Sequence, residues 1–315
     1  MNKKNKISII GLGYVGLPLA VEFGKKFETL GFDISSKRIS ELRKKIDTSG
    51  ELSGSDIRKA KKLQFSSRAN DLKNSNIYII TVPTPVDQNK KPNLSHLLSA
   101  TKLVAKYLNR NDIVIYESTV FPGTTEEICV PLLKKISKLQ YISDEENFNY
   151  LPGFYCGYSP ERINPGDKRH QIKKITKVVS GSTNKITKFI KKLYSKIITA
   201  AIYVAPNIKT AEASKIIENI QRDLNIALVN ELSIIFEKMN LDTKEILKAA
   251  NTKWNFAYYE PGLVGRHCIG VDPYYLTYKA KQLGYKPKIV LAGRKLNDAM
   301  GKVVGWRLLK EIKKR

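Results

Sequence analysis

The sequence predicts an α/β protein in which a doubly wound parallel sheet is followed by an all-helical domain with one long helix. Three observations predict it. Short β-branched runs alternate with longer helical ones from the start of the chain, the pattern of a parallel sheet wrapped by helices. A glycine-rich turn, GLGYVG, directly follows the first of those runs. After about Pro206 the alternation stops and only helical periodicity is left. Together they describe a Rossmann-like N-terminal domain.

The candidate strands are residues 7–10, 29–33, 63–66, 77–82, 113–118, 154–158, 177–180 and 198–204, with helical periodicity between several of them, as at 95–108 and 124–138. Residues 141–153 read as a loop. Residues 207–239 read as a single helix, about 45–50 Å long at 1.5 Å per residue. A shorter helix follows at 242–251, then an aromatic and glycine-rich loop at 254–270, then helices at 273–283 and from Pro287 onward. The expected domains are therefore 1–205, 206–300 and the start of another at 301–315.

Length and composition bound the function. A chain of 315 residues, 42% hydrophobic and 27% charged, has the make-up of a globular protein. No apolar run approaches the ~20 residues needed to cross a bilayer, so no membrane partner is expected. The basic start MNKKNKISII runs straight into the glycine turn with no cleavage site, and reads as a first strand. Three widely spaced cysteines, Cys129, Cys156 and Cys268, support neither a disulfide framework nor a metal cluster, and a cytoplasmic location is expected. The net charge of +26 invites a nucleic-acid reading. Its lysine pairs, however, are scattered from Lys25 and Lys26 to Lys191 and Lys192, without an aromatic-interleaved stripe. No specific nucleic-acid site is expected; the charge should attract anionic substrates and cofactors.

Gly11, Gly13 and Gly16, with Tyr14 and Val15 between the last two, lie between a strand and a helix. The first glycine allows the tight turn, the second lets the backbone approach a pyrophosphate, and the third lets helix and strand pack closely. The helix N-terminus offers N–H groups to the phosphates. Asp33 closes the second strand, where its carboxylate would accept bonds from ribose hydroxyls and repel a 2′-phosphate. NAD is thereby favoured over NADP, although Lys37 and Arg38 leave NADP open. Pro83, Thr84 and Pro85, then Ser118 and Thr119, then Pro160 and Glu161, also follow predicted strands. Four loops would converge on the crevice at the carboxyl ends of the strands.

Three further clusters carry candidate chemistry. Glu212, Lys215, Asn219 and Arg222 share one face of the long helix, while Ile216, Ile220, Leu224, Ala227 and Leu228 suggest an apolar environment on another. A solvated charged stripe is the common meaning of such a face. In the second cluster Cys268 precedes Asp272 and Pro273; a thiolate is stabilised just before a helix N-terminus, but a small buried cysteine and a plain helix start account for the same residues. In the third, Glu161 is either an acid–base group or the partner of Arg162. Cys129 and Cys156 fall in a helix and a strand, and read as buried.

In order and spacing, GLGYVGLPLA, VPTP, STVFPGTT, GYSPERINPGD, EASKIIENIQRDLNIALVNEL, NTKWNF and HCIGVDPYYL resemble the UDP-glucose/GDP-mannose dehydrogenase family. The most similar branch oxidises UDP-N-acetylhexosamines (UDP-GlcNAc or UDP-GalNAc) for surface-polysaccharide synthesis. The resemblance implies a four-electron oxidation of the sugar C6 alcohol to a carboxylate with two NAD molecules. By position Cys268 would be the nucleophile, passing through a thiohemiacetal and a thioester. Lys215 would stabilise the oxyanion, Asn219 would hold the alcohol oxygen or a water, and Asp272 would assist proton removal. Glu161, with Thr119 positioning water, would promote thioester hydrolysis. The expected NAD contacts are Gly11, Gly13, Tyr14, Val15, Gly16, Asp33, Arg38, Pro83, Thr84, Ser118 and Thr119. The resemblance also implies a homodimer built through the central helix.

Two departures from the family pattern stand out. The family carries two glycines before the His-Cys pair, whereas Arg266 follows Gly265 here. An arginine there would strain the backbone, block the pocket, face solvent or meet a phosphate. Family members also carry a second Rossmann-like lobe that supplies much of the UDP-binding surface. Here residues 303–315 form an amphipathic helical stretch with no later strand, which would leave Val304, Leu308 and Ile312 seeking cover. A truncated, inactive NAD-binding or dimerisation remnant, or one piece of a split gene, is therefore the alternative to an enzyme. A one-step hydroxy-acid dehydrogenase is the enzymatic rival, but a single hydride transfer needs no thiol.

Overall fold

The computed structural model describes residues 4–143, 152–161, 172–265 and 269–314. The expected loop at 141–153 therefore lies mostly outside the described residues, as do Arg162, Arg266, His267 and Cys268. The first part alternates as β1 (Lys6–Ile10), α1 (Gly16–Gly24), β2 (Glu28–Phe32), α2 (Ser36–Arg43), α3 (Gly54–Lys59), β3 (Leu63–Ser66), β4 (Ile77–Ile80), α4 (Ser95–Ala105), β5 (Ile113–Tyr116), α5 (Val130–Ser137), β6 (Gln140–Tyr141), β7 (Gly153–Tyr158), β8 (Lys177–Gly181), α6 (Asn184–Tyr194) and β9 (Ile202–Val204).

Every residue of β4 and β5 is buried. Such uninterrupted apolar runs mark strands covered on both faces. Ile7 and Ile9 of β1 pack with Leu17 and Val21 of α1 and Ile190 of α6 on one side, whereas Ile10, Tyr78 and Ile80 pack with Leu97 of α4 and Leu133 of α5 on the other. Strands pair in the order β3-β2-β1-β4-β5-β7-β8-β9, with β6 against β7. This is the expected Rossmann-like α/β sheet, and its order reverses between β1 and β4.

The first unit departs from the sequence expectation at several points. It is mixed rather than all parallel: β8 runs antiparallel to β7, with Gly157 beside Gly181 and Tyr158 beside Ser180, and β9 is parallel to β8. The strand expected at 198–204 is only Ile202–Val204. Before it, the N–H groups of Ile197 and Ile198 still bond back to the Tyr194 carbonyl, prolonging the turn that ends α6. The helix expected at 124–138 opens as a π-helical turn, Thr124–Cys129, started by Gly123 at φ 96°.

The chain divides into two compact units, Met1–Thr84 with Asn93–Lys215, and Pro85–Pro92 with Ile216–Arg315. The long helix α7 (Ile208–Lys238) is followed by α8 (Thr243–Ala250), capped by the Asp242 side chain, then α9 (Asp272–Gln282) and α10 (Lys288–Lys314). Ile216, Ile220 and Ala227 are buried, but Leu228 is exposed. The second unit also has a polar seam: Asn297 donates to the Asp223 carbonyl and carboxylate, and Asn230 donates to Asn297 Oδ1 and the Gly262 carbonyl. Val304, Leu308 and Ile312 are exposed on the last helix.

Candidate active site

The loop after β1 is built by steric exclusion. Gly11 has φ 93°, where a side chain is strained, and its N–H donates to the Phe32 carbonyl at 2.9 Å. A Cβ on Gly16 would strike the Gly11 carbonyl oxygen and Thr81 Oγ1, which itself donates to that carbonyl at 2.7 Å. A Cβ on Gly13 would meet nothing within 4 Å. The backbone is therefore open where a pyrophosphate approaches it, and closed where helix meets strand. Tyr14 and Val15 complete the turn, with Val15 at the N-cap position of α1.

Asp33 follows β2 directly. Its Oδ2 accepts the Leu12 N–H and its Oδ1 the Ser35 N–H, each at 2.9 Å. A carboxylate offers about four lone-pair directions, so two can still receive ribose hydroxyls. Arg38 donates through Nε and Nη2 to the Leu12 carbonyl at 3.1 and 3.0 Å, and its Nη2 lies 2.8 Å from Asp47 Oδ1. That guanidinium clamps the glycine loop to α2 and the following turn. Ser118 Oγ donates to the Val82 carbonyl and Thr84 Oγ1 to the Thr119 carbonyl, each at 2.6 Å, stitching together the loops that carry Pro83 and Thr119. These loops flank the switch point between β1 and β4, where α/β sheets bind their ligands. The residues fit NAD: a phosphate approach at Gly13, a ribose acceptor at Asp33, and an arginine committed to protein contacts.

A buried charge cluster lies at the carboxyl ends of β5 and β7. Lys177, at the start of β8, is 2.7 Å from Glu117 Oε2 and 3.2 Å from Glu161 Oε2. Tyr194 donates to the other Glu117 oxygen, and Lys215 Nζ donates to the Glu161 backbone carbonyl. Burial tends to discharge Lys177, but the facing carboxylates outweigh it and hold its pKa above the usual lysine value.

The polar face of α7 is not a solvated stripe. Glu212, Lys215 and Asn219 are all buried. Glu212 accepts the N–H groups of Gly123 and Thr125 at 2.6 and 2.9 Å, while burial pushes its carboxyl up to about 7. In the second unit Asn219 Nδ2 donates to Asp272 Oδ2, and Arg222 donates to Asn219 Oδ1. Asp272 is the first residue of α9 rather than its cap, a position held by Val271. Cys129 and Cys156 are buried, and burial pushes the Cys129 thiol up to about 12 and that of Cys156 well above its usual value. Neither is a thiolate nucleophile.

Sequence reasoning missed Glu117, Lys177, Tyr194 and Thr81. A signal for the second was available: a lysine opening a run, KVVSG, that is otherwise apolar or small.

A glycine turn at a switch point, with a carboxylate closing the next strand, is the dinucleotide site of NAD-dependent dehydrogenases on Rossmann-like sheets. Comparison with known proteins narrows the class. Residues 5–198 match the NAD binding domain of the UDP-glucose/GDP-mannose dehydrogenase family, and residues 209–299 match its central domain. The UDP-N-acetyl-D-glucosamine 6-dehydrogenase of Pseudomonas aeruginosa is 55% identical over 313 residues, covering 99% of this chain and 72% of that protein. The Salmonella typhi protein of the same name is 54% identical over 310 residues, covering 98% and 71%. The solved UDP-D-ManNAc dehydrogenase of Pyrococcus horikoshii superposes with a TM-score of 0.87 at 31% identity, covering 98% of this chain and 72% of that one. This chain belongs to the UDP-glucose/GDP-mannose dehydrogenase family, and its cofactor is NAD. No helix among the described residues is long and apolar enough to cross a membrane.

Proposed function

We propose that the chain oxidises the C6 alcohol of a UDP-N-acetylhexosamine to the uronic acid, in the cytoplasm, as a step toward surface polysaccharide. The observation that carries this reading is the 55% identity, across 99% of the chain, with a UDP-N-acetyl-D-glucosamine 6-dehydrogenase. The Gly11–Gly16 turn and Asp33 would hold two NAD molecules in turn, each accepting one of the two hydrides. Asp272, hydrogen-bonded to Asn219, takes the proton of the alcohol. Cys268 holds the oxidised carbon, first as a thiohemiacetal and then as a thioester, so that the aldehyde stays on the protein. The Lys215 ammonium stabilises the oxyanion. Glu161, with Thr119 orienting the water, takes a proton as water attacks the thioester, and the Cys268 thiolate leaves. The exposed apolar residues of α7, among them Ile217, Leu228 and Ile235, form the core of a homodimer.

The test is the number of NADH formed per UDP-N-acetylglucosamine or UDP-N-acetylgalactosamine consumed. Two are expected, and none of the acid should form from Cys268→Ser. One NADH per sugar, or full acid from Cys268→Ser at the normal rate, would sink the covalent scheme. Tight NAD binding with turnover of neither sugar would overturn the substrate assignment.

A further inference from the structure

Lys177 places a charge where the sheet is otherwise apolar, and its side chain is only 4% exposed. Burying an ammonium is costly unless it is paired and hydrogen-bonded. Two carboxylates supply the pairing, Glu117 at 2.7 Å and Glu161 at 3.2 Å. Glu117 is held in turn by the Tyr194 hydroxyl, and the Lys177 ammonium lies 5.4 Å from the centre of the Tyr194 ring. On the far side of Glu161, the Lys215 ammonium grips its backbone carbonyl. Glu161 is therefore fixed at both its main chain and its side chain, by two different lysines. The side-chain grip is shared: two negative charges compete for one positive charge, so a change at Glu117 reaches Glu161 through Lys177.

We propose that Lys177 is a positioning residue for Glu161, aiming its carboxylate at the hydrolytic water, with Glu117 and Tyr194 as the anchor that sets its reach. This rests on the reading above, in which Glu161 accepts the proton of that water. The step balances without any added oxidant. Water adds to the thioester carbon, its proton passes to Glu161, and the carbon–sulfur bond breaks with the electron pair leaving on Cys268. Among the described residues, the charged and titratable groups facing Glu161 include Lys177, Glu117, Tyr194 and Lys215.

The two neighbours of the ammonium allow a test of sign. Lys177→Met removes a positive charge beside Glu161, whereas Glu117→Gln removes a negative one and leaves the ammonium to Glu161 alone. The acidic limb of the pH profile for single-turnover acid release should move up by about one pH unit or more in the first variant and down in the second, with Lys177→Arg close to the unaltered chain. A merely structural lysine would slow both variants without moving the limbs in opposite directions. In parallel, the Glu161 carboxyl signal is titrated by 13C NMR, assigned with Glu161→Gln, which reads the same shifts without turnover. If Lys177→Met does not fold, the downward shift in Glu117→Gln carries the test, and its absence overturns the proposal. Acid release lost in Glu161→Gln, with unmoved limbs and NMR midpoints in the Lys177 and Glu117 variants, would overturn the positioning role alone. Normal acid release from Glu161→Gln would overturn the role of Glu161 and the proposal with it.

Discussion

Replacing Asp33 by alanine isolates the ribose end of the cofactor site. In the folded chain two of its lone-pair directions are taken by the Leu12 and Ser35 N–H groups at 2.9 Å, which leaves two for the ribose diol. A hydrogen bond to a charged group contributes about 1.5–3 kcal/mol. Asp33 is half-buried, so the lower figure applies, and two such bonds amount to about 3 kcal/mol. At about 1.4 kcal/mol per tenfold, Asp33→Ala should weaken NAD binding roughly 100-fold. Titration of NADH fluorescence reads this directly and needs no sugar substrate. NADP binding should stay weak in the same variant, because the Arg38 guanidinium remains tied to the Leu12 carbonyl and Asp47. The variant also strips two N–H groups of their acceptor, so its thermal midpoint is recorded alongside. A loss under threefold in a folded variant would refute the assignment of Asp33 to the ribose.

Glu212 gives a stability prediction with a definite sign. Its carboxyl titrates near 7 when folded and at 4.5 as a free side chain, so the native state binds the extra proton between those values. Stability therefore falls as pH rises from about 4.5 to 7 and is flat above, by an amount on the order of 3 kcal/mol. Glu212→Gln should lose that slope in thermal melts across the window; an identical slope would show that Glu212 does not titrate there. Gly16→Ala forces a Cβ against the Gly11 carbonyl and the Thr81 hydroxyl, and overpacking of this kind costs about 1–3 kcal/mol. Both the thermal midpoint and NAD affinity should drop, and the steric account is wrong if neither does.

What could be read from the sequence follows from which interactions are local. The glycine turn and Asp33 were legible because each glycine answers a constraint within one strand–turn–helix unit. The buried runs of β4 and β5 were legible because a strand covered on both faces has no polar side. The polar face of α7 was legible as a face but not as an interior one: periodicity groups Glu212, Lys215 and Asn219 without saying what covers them. Arg38 was legible as a residue near the cofactor turn but its acceptors, Leu12 and Asp47, were not, because they are set by the tertiary path of the chain. The cluster around Lys177 depends on residues 60 and 16 positions away, and no local pattern announces such a meeting.

The sense of β8 was equally silent, since nothing in the run KVVSG marks the direction in which it pairs. Its reversal nonetheless decides what stands at the ligand edge. With Tyr158 beside Ser180, each step onward from β7 is a step backward along β8, and Glu161 comes level with Lys177. Had β8 run parallel to β7, the residue delivered to that edge would have been Gly181, which carries no charge. The reversal at β8 thus sets a positive charge on a rim that would otherwise carry the carboxylates of Glu117 and Glu161 without it.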